Sequence, residues 1–221
     1  MREAIQHAPA RQPNERNGEE RNGELLEAHA GPVSTRRAEF DALYGADPDP
    51  WRMETSSYEA AKYDATLAAL PRERYARGLE VGCSIGVLSV RLAERCERLT
   101  AVDVSEAALR RARARPTAER IEWRRAEVPD EWPGGPRDLI VLSEVLYFLN
   151  PIEVREVARL AARDLDPQGT LMVVNWTGEC DRALTGDAAA ELFLGACEPF
   201  GIARVHHERQ PLYRIDVLAR S

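Results

Sequence analysis

Between residues 78 and 176, short apolar runs alternate with helix-like patterns in one unbroken series. The runs are GLEV (78–81), LTAVDV (99–104), IEWRRAEV with its turn (121–128), DLIVLSEV (138–145) and TLMVVNW (170–176). Amphipathic stretches over 87–95 and 105–115, and one opened by Asn150-Pro151, fall between them. Apolar residues three and four places apart mark helices, and short apolar, largely β-branched runs mark strands. Ser105 and Asn150 are good helix caps, and Pro151 suits a first helical position. DPQG (166–169) reads as the turn into the fifth run. Strands joined by helices must run parallel with right-handed crossovers, so the expected fold is a doubly wound α/β sheet.

The flanks differ. Residues 188–201 predict a helix, and 202–208 and 212–219 predict two strands whose short link forces an antiparallel pair at the end of the sheet. Upstream, Phe40, Leu43 and Tyr44 have helical spacing, GADPDPW is a Pro-stiffened extended segment, and Ser56 with Glu59 suggests a capping box for a helix ending at Pro71. Residues 1–35, rich in Glu, Arg, Asn, Gly and Pro, are expected to be a disordered tail. Residues 36–76 then form a helical cap segment and 77–221 the ligand-binding domain. The N-terminus lacks the apolar stretch of a secretory signal, and no run approaches the ~20 apolar residues of a membrane span, so a cytoplasmic place is expected.

Net charge is −7, which argues against a nucleic-acid partner. The 30 basic residues include a single lysine, Lys62, an arginine bias of the kind genome composition imposes. The arginines of LRRARARP (109–116) read as a solvated helix face. Cys83, Cys96, Cys180 and Cys197 form no CxxC pair and read as reduced thiols. His206 and His207, neighbours on a strand, point to opposite faces, so no metal site is expected.

In an open α/β sheet a ligand sits at the carboxyl ends of the strands, beside strand one. There the chain has EVGCSIG, with Gly82 and Gly86. A dinucleotide turn needs a middle glycine so that the backbone can touch a pyrophosphate. Ser84 stands in that place and Val87 in that of the third glycine. Asp103, 21 residues after Gly82, still ends strand two as an acceptor of ribose hydroxyls should. A ribose without a pyrophosphate describes S-adenosylmethionine. Glycines present only for close packing would explain the turn but not the acidic strand end.

LEVGCSIG, AVDVS, AEVPDEWP and DLIVLSEVLYFL together resemble the motifs of class I S-adenosylmethionine-dependent methyltransferases. DPWRMETSSYEAAKYDATLAAL and NWTGECD with LTGDAAAELF are similar to the nodulation N-methyltransferase (NodS-like) branch, from about residue 40 to the C-terminus. The resemblance implies a Rossmann-like class I methyltransferase fold, with a seven-stranded, mostly parallel sheet and an antiparallel C-terminal strand pair. It also implies methylation of an amine on a small acceptor, an amino sugar or saccharide, with S-adenosyl-L-methionine as cofactor.

By the same resemblance Glu80, Gly82, Cys83 and Gly86 lie under the methionine moiety, and Asp103 with Val104 takes the ribose. Glu127 and Val128 hold the adenine, although many relatives carry Asp at the former position. Ser143 and Glu144 face the sulfonium and the acceptor. Arg52 is suited to the cofactor's carboxylate. Glu144 and Tyr147 are the candidate catalytic residues, and Trp51, Tyr58 and Trp176 the candidate substrate contacts.

The rival readings are an NAD-dependent oxidoreductase, a non-catalytic S-adenosylmethionine-binding protein and an O-methyltransferase. Ser84 and the antiparallel pair count against the first, and turnover would exclude the second. Against the third, no histidine lies between Ala30 and Val205 to serve as the stronger base that a hydroxyl acceptor needs.

Overall fold

The computed structural model describes residues 35–116, 118–179 and 182–221. Of the expected tail over 1–35, all but Thr35 lies outside the described residues, as does Cys180. Two helices come first, α1 (Thr35–Ala46) and α2 (Ser57–Ala68). The alternating series follows: β1 (Tyr75–Val81), α3 (Val87–Ala93), β2 (Cys96–Asp103), α4 (Glu106–Arg113), β3 (Ile121–Arg125), β4 (Arg137–Ser143), α5 (Pro151–Asp164) and β5 (Leu165–Trp176). The chain closes with α6 (Gly186–Cys197), β6 (Ile202–Arg209) and β7 (Tyr213–Arg220).

The seven strands form one sheet in the order β3-β2-β1-β4-β5-β7-β6. The first five are parallel, and β7 runs antiparallel between β5 and β6. Strand order reverses between β1 and β4, which makes their carboxyl ends the switch point where such sheets bind ligands.

Both faces of the sheet are covered, as a parallel sheet requires. Tyr63 of α2, Leu88 and Leu92 of α3 and Leu109 of α4 pack with Leu139, Val141 and Ile215 on one face. Val154, Val157 and Ala161 of α5 and Phe193 of α6 pack with Leu79, Ile140 and Leu142 on the other. Full burial of the central strands leaves no polar stripe in them, hence the continuous apolar runs of the sequence. Among the described residues no helix is long and apolar enough to cross a membrane.

Three local expectations change. The Ser56 hydroxyl accepts the Glu59 amide at 3.4 Å, but the Glu59 side chain turns inward to Lys62, so only half of that box forms. A complete capping box forms instead at Asn150 and Glu153. DPQG is not a separate turn: pairing steps from Arg137↔Leu165 to Leu139↔Thr170, so Asp166–Gly169 bulge out of a longer strand. Finally, part of the arginine face of α4 and its following turn is pinned rather than solvated. Arg111 and Arg115 both pair with Glu54 from the segment before α2.

Candidate active site

The loop after β1 is shaped by what surrounds it. Gly82 and Gly86 have φ of +85° and +79°, conformations in which only glycine is unstrained. A Cβ on Gly82 would lie 2.6 Å from the Ser143 carbonyl oxygen, and one on Gly86 2.6 Å from the Trp123 ring. The first glycine therefore brings β1 against the exit of β4, and the second seats α3 against β3. Ser84 between them is left-handed at φ +51°. Its amide donates to Asp103 at 2.8 Å, and the other Asp103 oxygen accepts the Ser105 amide at 2.8 Å.

Two carboxylates under this loop are buried, Glu80 at 1% and Asp103 at 8% exposure. Burial pushes Glu80 up to about 7 and Asp103 up to about 6. One oxygen of Glu80, Oε2, is buried without a hydrogen-bond partner. Cys83 is buried beside them, and burial raises its thiol well above the usual range.

Helix α1 crosses the ends of β1, β2 and β3. Asp41 accepts from the Ser105 hydroxyl at 2.7 Å, from the Ala107 amide at 3.2 Å and from Arg125 at 2.7 Å. The Tyr44 hydroxyl shares a hydrogen bond with that of Ser84. Arg36 pairs with Glu127 at 3.0 Å and Glu153 at 2.9 Å, and approaches the Val128 carbonyl at 3.5 Å. Beside these contacts lies a cavity of about 320 Å³, lined by Arg36, Phe40, Glu127, Phe148, Glu153 and Arg182 among others. Val104 is half-buried at the end of β2, and its carbonyl accepts from Arg125 at 3.0 Å.

On the other side of the switch point, Ser143 ends β4 and Glu144 follows with φ +55°. A non-glycine residue held left-handed stores strain, which clusters at functional sites. The Glu144 amide donates to Val174 at 2.8 Å, and its carboxylate accepts from Tyr147 at 2.8 Å and from Lys62. Lys62 also donates to Glu59 at 2.9 Å. The Tyr58 ring meets Trp176 and Tyr213 edge-on, with centroids 6.0 and 5.9 Å away, and its hydroxyl is buried without a partner.

The structure thus brings Glu144, Tyr147, Tyr58 and Trp176 to one side, and Glu80, Gly82, Cys83, Gly86, Asp103, Val104, Glu127, Val128 and Ser143 to the neighbouring strand ends. It does not bring Trp51 to Tyr58. Trp51, 37% exposed, packs on Phe40 and Tyr44 of α1. Arg52 is exposed and left-handed at φ +55°, and its guanidinium makes no ion pair among the described residues. Lys62, Glu59, Arg36 and Asp41 escaped the sequence reading. For Lys62 a signal existed: it is the single lysine among the chain's 30 basic residues, the rest of them arginine.

Residues 41–191 match the family nodulation protein S (NodS). Nodulation protein S of Bradyrhizobium diazoefficiens is 38% identical over 127 residues, which cover 56% of this chain and 61% of that protein. That of Rhizobium tropici is 36% identical over 130 residues, 58% of this chain and 55% of the relative. The chain therefore spans less than two thirds of these relatives' length. A candidate methyltransferase from Pseudomonas syringae superposes with TM-score 0.64 at 34% identity, covering 75% of this chain and all of that one. N-methyltransferase NodS from Bradyrhizobium japonicum, in complex with S-adenosyl-L-homocysteine, superposes with TM-score 0.69 at 22% identity, covering 83% and 98%, a likeness of fold. The chain belongs to the nodulation protein S family and has the Rossmann-like fold of the class I methyltransferases.

Proposed function

We propose that this protein is a cytoplasmic S-adenosylmethionine-dependent methyltransferase acting on an amine of a small acceptor, an amino sugar or similar saccharide. Glu144 carries this reading: a carboxylate on a left-handed backbone at the exit of β4, held by Tyr147 and Lys62, beside the glycine turn and a wall of three aromatic rings. Backbone strain of this kind clusters at functional sites, which favours a proton acceptor over a purely structural residue. The family match and the relatives named as N-methyltransferases support the amine.

The residues present fit the cofactor. The unpartnered Glu80 oxygen suits a cationic amino-acid end, and Asp103 retains lone pairs for ribose hydroxyls. Glu80, Gly82, Cys83 and Gly86 would hold the methionine moiety, Arg52 its carboxylate, Asp103 and Val104 the ribose, and Glu127 and Val128 the adenine. Ser143 would lie at the sulfonium. Bound there, S-adenosylmethionine supplies an activated methyl group.

The protein's own tasks are then few. Glu144 takes the acceptor's ammonium proton, and Tyr147 keeps the carboxylate oriented. Trp176 and Tyr58 seat a sugar ring, its amine turned inward. Such orientation can lower a barrier by several kcal/mol, with ~7–11 as the ideal intramolecular limit. In this reading residues 36–76 are a cap that excludes water, and 77–221 bind the cofactor.

Thermal unfolding tests the cofactor assignment. S-adenosylhomocysteine at ~100 times its dissociation constant should stabilise the protein by ~2.7 kcal/mol, and NAD should not. Stabilisation by NAD alone would overturn the assignment.

A further inference from the structure

Glu59 and Lys62 are more deeply buried than the carboxylate they adjoin. Their side chains are 10% and 5% exposed, against 21% for Glu144. The Lys62 ammonium is shared between the two carboxylates, and it also lies 5.3 Å from the centre of the Tyr58 ring. Two carboxylates and one ammonium leave one negative charge in the cluster. Neighbouring titratable groups are Tyr58 and Tyr63 on α2, Glu80 on β1, Tyr147 after β4 and Tyr213 on β7. None of these adds a cation.

That charge count matters for a base. If Glu144 were the only counter-ion of Lys62, protonating it would strand a buried ammonium, a heavy cost. Glu144 would then be a poor proton acceptor. With Glu59 present, Lys62 keeps a partner whichever state Glu144 is in.

Resting on the proposed amine chemistry, we infer that Glu59 and Lys62 are positioning residues. Lys62 orients the Glu144 carboxylate, and Glu59 supplies the counter-charge that lets Glu144 accept one proton. In the step concerned, an N–H bond of the acceptor ammonium breaks, its electron pair stays on nitrogen, and the proton moves to a Glu144 oxygen. Lys62 remains an ammonium throughout. Burial pulls Lys62 down, but Glu144 and Glu59 outweigh it and hold the group above the ordinary lysine range.

Because Lys62 is the only lysine, lysine labelled with ¹³C and ¹⁵N at the side-chain end reports on this cluster with one backbone-independent signal. In the intact chain that signal should follow the shared protonation of the Glu59 and Glu144 carboxylates, both bonded to Lys62, and change in Glu144→Gln. In Glu59→Gln the step should move to lower pH, since a negative neighbour is gone. In Lys62→Met the acidic limb of kcat/KM, measured with S-adenosylmethionine and a glucosamine tetramer, should move to higher pH. In Glu59→Gln that limb should move lower, with kcat reduced about tenfold or more and S-adenosylhomocysteine affinity unchanged. Lys62→Arg should retain part of the activity that Lys62→Met loses.

Folded variants that lose activity equally at every pH, with both the limb and the lysine signal unmoved, would overturn the inference. Should Lys62→Met fail to fold, the Glu59→Gln shift decides. Should the wild type form no S-adenosylhomocysteine with the tetramer, the proposed acceptor class fails, while the lysine titration still supports or overturns the pairing.

Discussion

The carboxylate of Asp103 accepts the Ser84 amide at 2.8 Å, so the last residue of β2 holds the middle of the β1 turn in its left-handed conformation. Asp103→Asn should therefore act twice. Asparagine can accept only one of the two amides, so stability should fall by about 1–3 kcal/mol, the cost of an unsatisfied buried group. Affinity for S-adenosylhomocysteine should fall by roughly 1.5–3 kcal/mol, the scale of hydrogen bonds to a charged group. Calorimetry showing wild-type affinity would remove Asp103 from the ribose site.

Burial holds Glu80 up to about 7 and Asp103 up to about 6, whereas such groups in an unfolded chain titrate near ~4. The folded protein therefore binds the extra protons between about pH 4 and 7, and the stability these groups contribute is lost as pH rises through that window. A ligand that donates hydrogen bonds to the ionised carboxylates lowers both values and expels protons. S-adenosylhomocysteine binding near pH 6, measured in buffers of different ionisation enthalpy, should release protons. Its affinity should rise from about pH 5.5 to 7.5. Binding without proton release would mean that neither carboxylate meets the ligand.

Gly82 and Gly45 make a controlled pair. Gly82 combines positive φ with a carbonyl oxygen 2.6 Å from any Cβ, whereas Gly45, in α1, has nothing within 4 Å. Gly82→Ala should cost roughly 1–3 kcal/mol of stability, the price of a strained backbone, and should weaken cofactor binding. Gly45→Ala should raise stability by about 0.5–1 kcal/mol through helix propensity. Chemical denaturation of both variants checks this, and a neutral Gly82→Ala would refute the strain.

The fold could be read from the sequence because its signal is local. Alternating strand and helix periods fix a parallel sheet, and the three-residue link before Leu212 fixes the antiparallel end. The strand-end positions of Gly82, Asp103 and Glu144 were legible for the same reason, since each ends or follows a recognisable strand. The contacts of α1 were not. Arg36 and Asp41 look like surface charges on an amphipathic helix, and their partners Glu127 and Arg125 lie 91 and 84 residues away. Glu59 was hidden by its own motif: Ser56-x-x-Glu59 reads as a cap, and only packing turns the carboxylate toward Lys62. Trp51 shows the converse, an aromatic residue near a stiff Pro segment that packs on α1 rather than joining Tyr58.

Transfer to an amine through Glu144 is tested most directly by formation of S-adenosylhomocysteine with glucosamine oligomers, comparing wild type with Glu144→Gln. Wild type should turn over, with a rate that climbs with pH as more acceptor amine becomes neutral. Glu144→Gln should bind S-adenosylhomocysteine normally and lose ~10²–10⁴-fold in turnover, toward the low end because amines can shed their proton before binding. A folded Glu144→Gln that turns over at the wild-type rate, or a wild type that binds S-adenosylhomocysteine yet methylates hydroxyl acceptors and no amine, would contradict the account.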